Sequence, residues 1–389
     1  MPFACQHDGR IRLIAVIAPE PAPWVETLAL AAGRLDEMAI FAPWATRLGS
    51  ARWLPRRLRA ALARRRAPGS CVRSVPGWLA VEAFLRIWSG SRAERRLVAR
   101  FARRFVAGRL AARWLPRGTR AVIAPSFAAR RVFACAAGAT RILVEDLPSL
   151  RTLHDDLDRA SARHPDAPFL RRYRAPAWIV AAQESERALA DALLVRSRFA
   201  KNERVAAGFA SDRVLPLPER ALAVTAAAAA DRAGRPPVLL LAGLATERNG
   251  LTQALVAMEG IAGATLLVRP GEGTPAELLA RPAVRASTAR EREQLAGIDL
   301  VLAPALCESH PPDVTLAAAT GVPVIATSRA AGFIDLQSAG REVVPGDAAD
   351  LLRAVRELLA APRRPAEAIP SASDLLAETL RQVLPGGAR

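Results

Sequence analysis

The chain has 389 residues, of which 51% are apolar and 24% are charged, and its mean hydropathy is +0.13. This composition excludes a wholly disordered protein and is enough for two domains, because a domain usually has about 100–200 residues. The formal net charge is +18, and residues 51–120 hold 19 arginines against only Glu82 and Glu94. The positive charge is therefore concentrated in one segment.

Short apolar runs alternate with helical patterns along the chain. The first series is residues 11–17, 38–41, 121–124, 142–144, 193–195 and 214–217, and the second is residues 238–242, 265–268, 300–303 and 323–326. Runs that are apolar throughout indicate strands that are buried on both faces of a parallel sheet. We therefore predict an α/β protein with two doubly wound, Rossmann-like domains that face each other across a cleft.

The two series of strands set the predicted domain boundaries. Residues 1–218 are predicted to form the first domain, and an alanine-rich, proline-bounded linker covers residues 219–236. Residues 237–365 are predicted to form the second domain. Residues 366–389 are predicted to form a C-terminal helix that packs back on the first domain.

The segment 51–120 combines arginine with apolar residues at helical spacing. Apolar side chains recur every four residues from Leu54 to Leu62 and from Leu97 to Phe105, which predicts two basic amphipathic helices. Such helices, with tryptophan beside them, suit an anionic membrane surface. The predicted surface contacts are Arg56, Arg57, Arg59, Arg100, Arg103 and Arg104. A solvated polar face remains an alternative, and we predict no nucleic-acid partner because no known binding motif accompanies the charge.

Several stretches resemble the family 4 glycosyltransferases of the GT-B fold. They are residues 184–218, with Ser197 at the end of a strand, residues 238–255 (VLLLAGLATERNGLTQAL), residues 299–327 (DLVLAPALCESHPPDVTLAAATGVPVIAT) and residues 341–355. The resemblance implies a nucleotide-sugar donor in the second domain and a glycan or lipid-linked acceptor in the first. It also implies a retaining reaction without a metal or another cofactor, with the nucleotide-sugar as co-substrate.

The turn that contains Gly243, Arg248, Asn249 and Gly250 corresponds to the family's glycine loop of the donor site. A glycine turn that leads into a helix N-terminus presents backbone N–H groups to a diphosphate. Arg248 could neutralise charge on the leaving diphosphate. The alternative is that Arg248 is an ordinary surface arginine of a loop.

Glu308 corresponds to the first glutamate of the family's two-glutamate motif. The resemblance implies that it contacts hydroxyls of the donor sugar, a role in which a carboxylate accepts two hydrogen bonds, with Ser309 and His310 beside it. The alternative is a solvated loop carboxylate. Leu316 occupies the place of the second glutamate, so Asp313 is predicted either to replace it or to cap the helix that follows.

Glu145 and Asp146 follow the strand at residues 142–144, where many relatives have His-Asp. With Glu308 they complete the predicted catalytic set, since a carboxylate can accept a proton from an acceptor hydroxyl or stabilise an oxocarbenium-like centre. Alternatively, both carboxylates orient loops or pair with Arg141 and Arg151. His154 is a further candidate near this position.

Three functions remain open from the sequence. The leading hypothesis is a metal-independent glycosyltransferase that acts on a polysaccharide or lipid-linked acceptor. Leu316 and Asn249 depart from the family pattern and keep open a catalytically degenerate scaffold or binding protein in surface-polysaccharide assembly, and a sugar-nucleotide epimerase is the third possibility. Four scattered cysteines and the lack of a spanning apolar run predict a cytoplasmic protein, attached to the inner face of the cell membrane if the basic helices bind there.

Overall fold

The computed structural model describes residues 13–19, 23–32, 37–41, 72–73, 78–90, 93–171, 174–218, 235–271, 273–289, 291, 295, 297–361 and 372–384. Within them, the strands form two separate parallel sheets, and helices alternate with strands in each. This arrangement is the predicted pair of doubly wound, Rossmann-like domains.

The first sheet has the strand order β3-β2-β1-β4-β5-β6-β7, and every pairing in it is parallel. Its strands are β1 (Leu13–Ile17), β2 (Glu37–Phe41), β3 (Val72–Arg73), β4 (Thr119–Pro125), β5 (Thr140–Glu145), β6 (Ala192–Val195) and β7 (Val214–Pro216). Side chains of β1 and β4 alternate between the core clusters on the two faces, with Val16 and Ile123 on one and Ala15 and Val122 on the other. Burial on both faces explains why these runs are apolar without a break.

The second sheet has the order β10-β9-β8-β11-β12-β13 and is also parallel. Its strands are β8 (Val238–Leu241), β9 (Thr265–Val268), β10 (Val284–Ala286), β11 (Leu300–Ala303), β12 (Val324–Ala326) and β13 (Gly340–Glu342). The two edge strands, β10 and β13, were not predicted. Both are short and partly exposed, so they lack the apolar run that marks a buried strand.

The helices of the described part cover both sheets. They are α1 (Pro23–Ala32), α2 (Trp78–Ser89), α3 (Ala93–Arg113), α4 (Ala129–Cys135), α5 (Leu150–Arg163), α6 (Ala177–Arg187), α7 (Arg198–Ala206), α8 (Leu251–Glu259), α9 (Pro312–Thr320), α10 (Leu336–Ala339), α11 (Ala348–Ala360) and α12 (Ala372–Val383). The C-terminal helix α12 packs on α1, and its Leu376 and Leu380 belong to the same core cluster as Ile14 of the first sheet. The chain therefore returns to the first domain after it has built the second.

The structure describes only part of the basic segment, and the prediction is wrong for one of its surface residues. Arg56, Arg57 and Arg59 lie outside the described residues. Arg100 of α3 is exposed and Arg103 is half-buried, but the side chain of Arg104 is only 1% exposed. Arg104 therefore belongs to the interior and cannot contact a membrane surface. None of the described helices is both long and apolar enough to cross a bilayer.

Candidate functional site

The glycine turn after β8 forms as the sequence predicts. A short 3-10 turn at Glu247–Asn249 leads into α8, and both Gly243 and Gly250 have positive φ, 77° and 80°. A Cβ atom on Gly250 would lie 2.1 Å from the carbonyl oxygen of Pro304, so only glycine allows this close approach of the two loops. The turn therefore lies directly against the loop that follows β11.

Arg248 joins these two loops of the second domain. Its Nη2 donates to the carbonyl oxygen of Glu308 at 2.8 Å, and its own carbonyl accepts from the backbone N–H of Leu306. The Nε of Arg248 is buried and has no hydrogen-bond partner among the described residues. Asn249 fastens the same turn, since its Nδ2 donates to the carbonyl oxygen of Leu244. Arg248 therefore stabilises the turn through its Nη2 and its carbonyl group, while its Nε–H donates to no described residue.

Glu308 is buried where the two domains meet, so it is not a solvated loop carboxylate. Its side chain is 4% exposed, and Oε1 accepts from Ser197 Oγ of the first domain at 2.9 Å and from His310 Nε2 at 3.1 Å. Oε2 has no partner among the described residues, and neither does Nδ1 of His310. A buried polar atom without a partner is costly, which makes these atoms candidates for contact with a bound molecule.

The charges around Glu308 keep it ionised. Burial raises the pKa of Glu308, but the hydrogen bonds from His310 and Ser197 and the charges of His310 and Arg204 hold it below its usual value. Burial lowers the pKa of His310, and the charges of Arg196 and Arg248 add to that effect, although Glu308 opposes it. A neutral His310 still donates Nε2–H to Glu308, but it no longer contributes its charge to the lowering of the pKa of Glu308, which then depends on the hydrogen bonds and on Arg204.

Leu316 and Asp313 hold structural places in the second domain. Leu316 of α9 is buried in the core cluster together with Val314 and Ala317. Asp313 does not cap α9, because the helix begins at Pro312 and the capping position is Pro311. The carboxylate of Asp313 instead accepts from the backbone N–H of Gly243 at 2.9 Å and supports the glycine turn. The N-cap interpretation of Asp313 is therefore wrong.

Glu145 and Asp146 lie at the end of β5 in buried ion pairs. Arg104 donates through two nitrogens to the two oxygens of Asp146, at 2.8 and 2.7 Å. Glu145 accepts from Nε of Arg187 on one oxygen and from Nε of Arg204 on the other, at 2.8 Å for Arg204. All four carboxylate oxygens are therefore engaged by arginine, and neither buried carboxylate has an unpartnered oxygen for the role of a base.

The predicted pairing of Glu145 and Asp146 with Arg141 and Arg151 is wrong. Arg141 pairs with Asp191, and Arg151 pairs with Glu184. His154 is also engaged elsewhere, since its Nε2 accepts from the backbone N–H of Ala175 at 3.0 Å. Of the predicted catalytic set, only Glu308 retains an unpartnered oxygen.

The crevice between the domains is bridged by direct contacts. Ser197 reaches Glu308, Arg329 pairs with Asp156 at 3.0 Å, and the backbone N–H of Arg198 donates to the carbonyl oxygen of Gly332. Arg196 lies close enough to both Asp146 and Glu308 for their charges to oppose the lowering of its pKa by burial. Sequence patterns miss these partners, because residues of the two domains meet only in the folded chain.

The described residues contain no cluster of three or more metal-ligating side chains. Asp156 and Asp158 spell a DxD sequence, but both lie on α5 and are engaged separately. Asp156 is buried and pairs with Arg159 and Arg329, whereas Asp158 is exposed and pairs with Arg174.

The buried carboxyl group of Asp156 is expected to make the stability of the protein depend on pH. Burial outweighs its arginine partners and raises its pKa from 3.8 to about 6, consistent with the lack of a partner for its buried Oδ2. A carboxyl with a raised folded-state pKa binds more protons in the folded than in the unfolded state, so stability falls as pH rises from about 4 to about 6. Denaturant titrations across this pH range should show that the free energy of unfolding falls less steeply with pH in the Asp156→Asn variant than in wild type. The exposed Asp158→Asn variant is the control and should keep the wild-type slope, and an unchanged slope in Asp156→Asn would contradict the assignment.

Known structures share this fold. The chain is similar to sucrose-phosphate synthase from Thermosynechococcus elongatus, with 15% identity over 96% of this chain and 95% of that chain and a TM-score of 0.57. It is also similar to the lipopolysaccharide outer core galactosyltransferase WaaB (14% identity, 97% and 96% coverage, TM-score 0.52) and to HepE from Anabaena, crystallised with UDP (10% identity, 96% and 95% coverage, TM-score 0.52). No protein-family model and no curated sequence matches the chain significantly.

These similarities define the class of fold. The two Rossmann-like domains have the GT-B arrangement, and the predicted fold class is confirmed. At such low identities the likeness concerns the fold alone, and a fold hosts more than one function. The activity has to be argued from the site itself.

Proposed function

We propose that this protein is a glycosyltransferase that moves a sugar from a nucleotide-sugar donor to a polysaccharide or lipid-linked acceptor, without a metal and with retention of configuration. The observation that carries the proposal is a set of three polar atoms without partners among the described residues: Glu308 Oε2, His310 Nδ1 and Arg248 Nε. They belong to the loops at the carboxyl ends of β8 and β11, which is where open α/β sheets bind ligands.

Each part of this site has a role in sugar transfer. The glycine turn before α8 and Arg248 would bind the donor diphosphate and stabilise the charge that develops on it as it leaves. Oε2 of the ionised Glu308 would accept hydrogen bonds from sugar hydroxyls. The contacts between the domains would keep water from the donor carbon and so favour transfer over hydrolysis.

The buried arginine pairs give Glu145 and Asp146 a positioning role in this proposal. Arg187 and Arg204 hold Glu145, and Arg204 also contributes charge that lowers the pKa of Glu308. Glu145 therefore acts on Glu308 through the placement of Arg204. The acceptor would approach from the first domain, beside Ser197.

Calorimetric titration with UDP, GDP and dTDP tests donor binding. We expect one of them to bind with a micromolar dissociation constant, and Arg248→Ala to weaken that binding about 10- to 100-fold, because a charge-assisted hydrogen bond contributes about 1.5–3 kcal/mol. Arg281→Ala, at an exposed arginine of the same domain, is the matched control and should bind like wild type. The absence of binding by all three nucleotides would contradict the proposal.

The same titration separates a second candidate function. A catalytically degenerate scaffold is favoured by Leu316, which is buried in the core, and by Asp313, whose carboxylate supports Gly243 and so is not free to replace the second glutamate. A scaffold would bind none of the nucleotides. An epimerase would bind its nucleotide-sugar and isomerise it without an acceptor, which product analysis detects.

A further inference from the structure

A cavity of about 910 Å³ lies in the first domain, between α3, α4 and α6. It shares no lining residue with the Glu308 site. Its walls combine the aromatic side chains of Phe105, Phe127 and Trp178 with three arginines, and smaller residues of α4 and α6 complete them. The volume is within the range of sites for small organic molecules, about 300–1,000 Å³.

The aromatic residues form a continuous apolar wall from the interior to the surface. Phe127 is fully buried, and its ring contacts the ring of Phe105 edge-on at 5.9 Å between centroids. Phe105 in turn lies 6.0 Å from Trp178, which is 55% exposed although it is a large apolar side chain. The wall can therefore hold an apolar chain whose other end remains at the protein surface.

The arginines make the mouth of this cavity positive. Arg109, Arg130 and Arg131 are exposed, and no carboxylate among the described residues pairs with any of them. Glu186 is the acidic residue of the lining, but it is fully buried and its carboxylate accepts from backbone N–H groups at the start of α4, including those of Ala129 and Arg130. Burial raises the pKa of Glu186 to about 7 although these backbone hydrogen bonds oppose the shift, so its carboxyl is partly protonated near neutral pH and the arginines remain available to an anion.

The surface beside the cavity, formed by α2 and α3, also combines exposed apolar side chains with arginine. Helix α2 packs on α3 and exposes Phe84, Ile87 and Trp88, of which Ile87 is 81% exposed. The guanidinium of Arg95 lies 5.9 Å from the ring of Trp88. Exposed aromatic and aliphatic side chains among arginines are typical of proteins that lie in the interface of an anionic membrane.

We propose that this cavity binds an acidic phospholipid and thereby holds the first domain on a membrane surface. The lipid phosphate contacts Arg109, Arg130 and Arg131, whose planar guanidinium groups suit phosphate oxygens. One acyl chain lies along Trp178, Phe105 and Phe127. The contact surface then includes α4 and α6, which lie outside the basic segment at residues 51–120.

Vesicle sedimentation tests the proposal on the full-length protein. Vesicles of phosphatidylcholine with phosphatidylglycerol are expected to bind the protein, and vesicles of phosphatidylcholine alone to bind it much less. The double variant Arg130→Ala, Arg131→Ala should bind the acidic vesicles about 25-fold more weakly, since each basic side chain near the lipid contributes about fivefold. Trp178→Ala should bind several-fold more weakly.

The control variants are Arg281→Ala and Leu279→Ala, which remove an exposed arginine and an exposed apolar side chain from the second domain. Both should bind acidic vesicles like wild type, and circular dichroism should show that all variants are folded. Equal binding by the double variant and wild type, or no preference for acidic lipid, would overturn the proposal.

A second measurement separates a lipid from a free phosphate. Short-chain phosphatidylglycerol should bind the protein much more tightly than glycerol phosphate, because only the lipid occupies the aromatic wall. Equal affinities would show a simple phosphate site and overturn the lipid assignment. Neither experiment depends on sugar transfer, so its failure is distinguishable from failure of the proposed function.

Discussion

Replacement of Asp146 by alanine is expected to lower the free energy of unfolding by about 3–5 kcal/mol, because it removes the carboxylate that pairs with the buried guanidinium of Arg104 through two hydrogen bonds. Arg104 is 1% exposed, and its Nη1 also donates to the carbonyl oxygen of Ser126 at 3.2 Å. Urea titration at neutral pH measures the change.

Two controls show whether burial causes this loss. Glu184→Ala removes the exposed pair with Arg151 in the same domain and should cost no more than about 1 kcal/mol. The double variant Arg104→Met, Asp146→Leu replaces both charges with apolar side chains and should be more stable than Asp146→Ala. If Asp146→Ala lost no more stability than Glu184→Ala, the buried pair would not support the first domain as we infer.

Replacement of Glu308 by glutamine is expected to lower the rate of sugar transfer about 100- to 1,000-fold, the usual effect of losing one group that stabilises the transition state. Glutamine keeps the size of the side chain and can still accept from Ser197, but it removes the negative charge that would face the donor sugar. Binding of the nucleoside diphosphate should change less than threefold, because Glu308 is predicted to contact the sugar. Transfer assays and calorimetry on the same preparation measure both quantities.

A purely structural role for Glu308 would give a different pattern. In that case Ser197→Ala, which removes its contact to the first domain, would reduce transfer as strongly as Glu308→Gln. Our proposal predicts less than a tenfold effect for Ser197→Ala. Glu259→Gln, at an exposed carboxylate of α8 in the same domain, serves as the control and should leave transfer unchanged. Full activity of Glu308→Gln would remove Glu308 from the candidate site.

The closed crevice has a consequence for substrate entry. Glu308 touches Ser197, and Arg329 touches Asp156, so a donor that reaches Oε2 of Glu308 has to separate these contacts or enter before they form. Movements of this kind are common where two domains enclose a reaction. The two contacts are therefore expected to change when a nucleotide-sugar binds.

Apolar runs were enough to place the strands at the centre of each sheet. The runs at residues 142–144 and 300–303 became β5 and β11, because a strand covered on both faces needs an unbroken apolar sequence. The edge strands β3, β10 and β13 lack that requirement and were missed. The resemblance to the family's glycine loop located the turn at Gly243 and Gly250, and glycine permits the positive φ that both residues adopt there.

The sequence by itself therefore determined the two-domain α/β fold, its central strands, and the loops that carry Arg248 and Glu308. Only the tertiary structure decided which charges meet. Asp146 pairs with Arg104, 42 positions away, and Glu308 contacts Ser197, 111 positions away. Helical periodicity gives the position of each arginine of α3 around the helix axis. It does not show whether the side chain meets a buried carboxylate or open solvent there. Ion pairing depends on distance in the folded chain, and no local pattern records it.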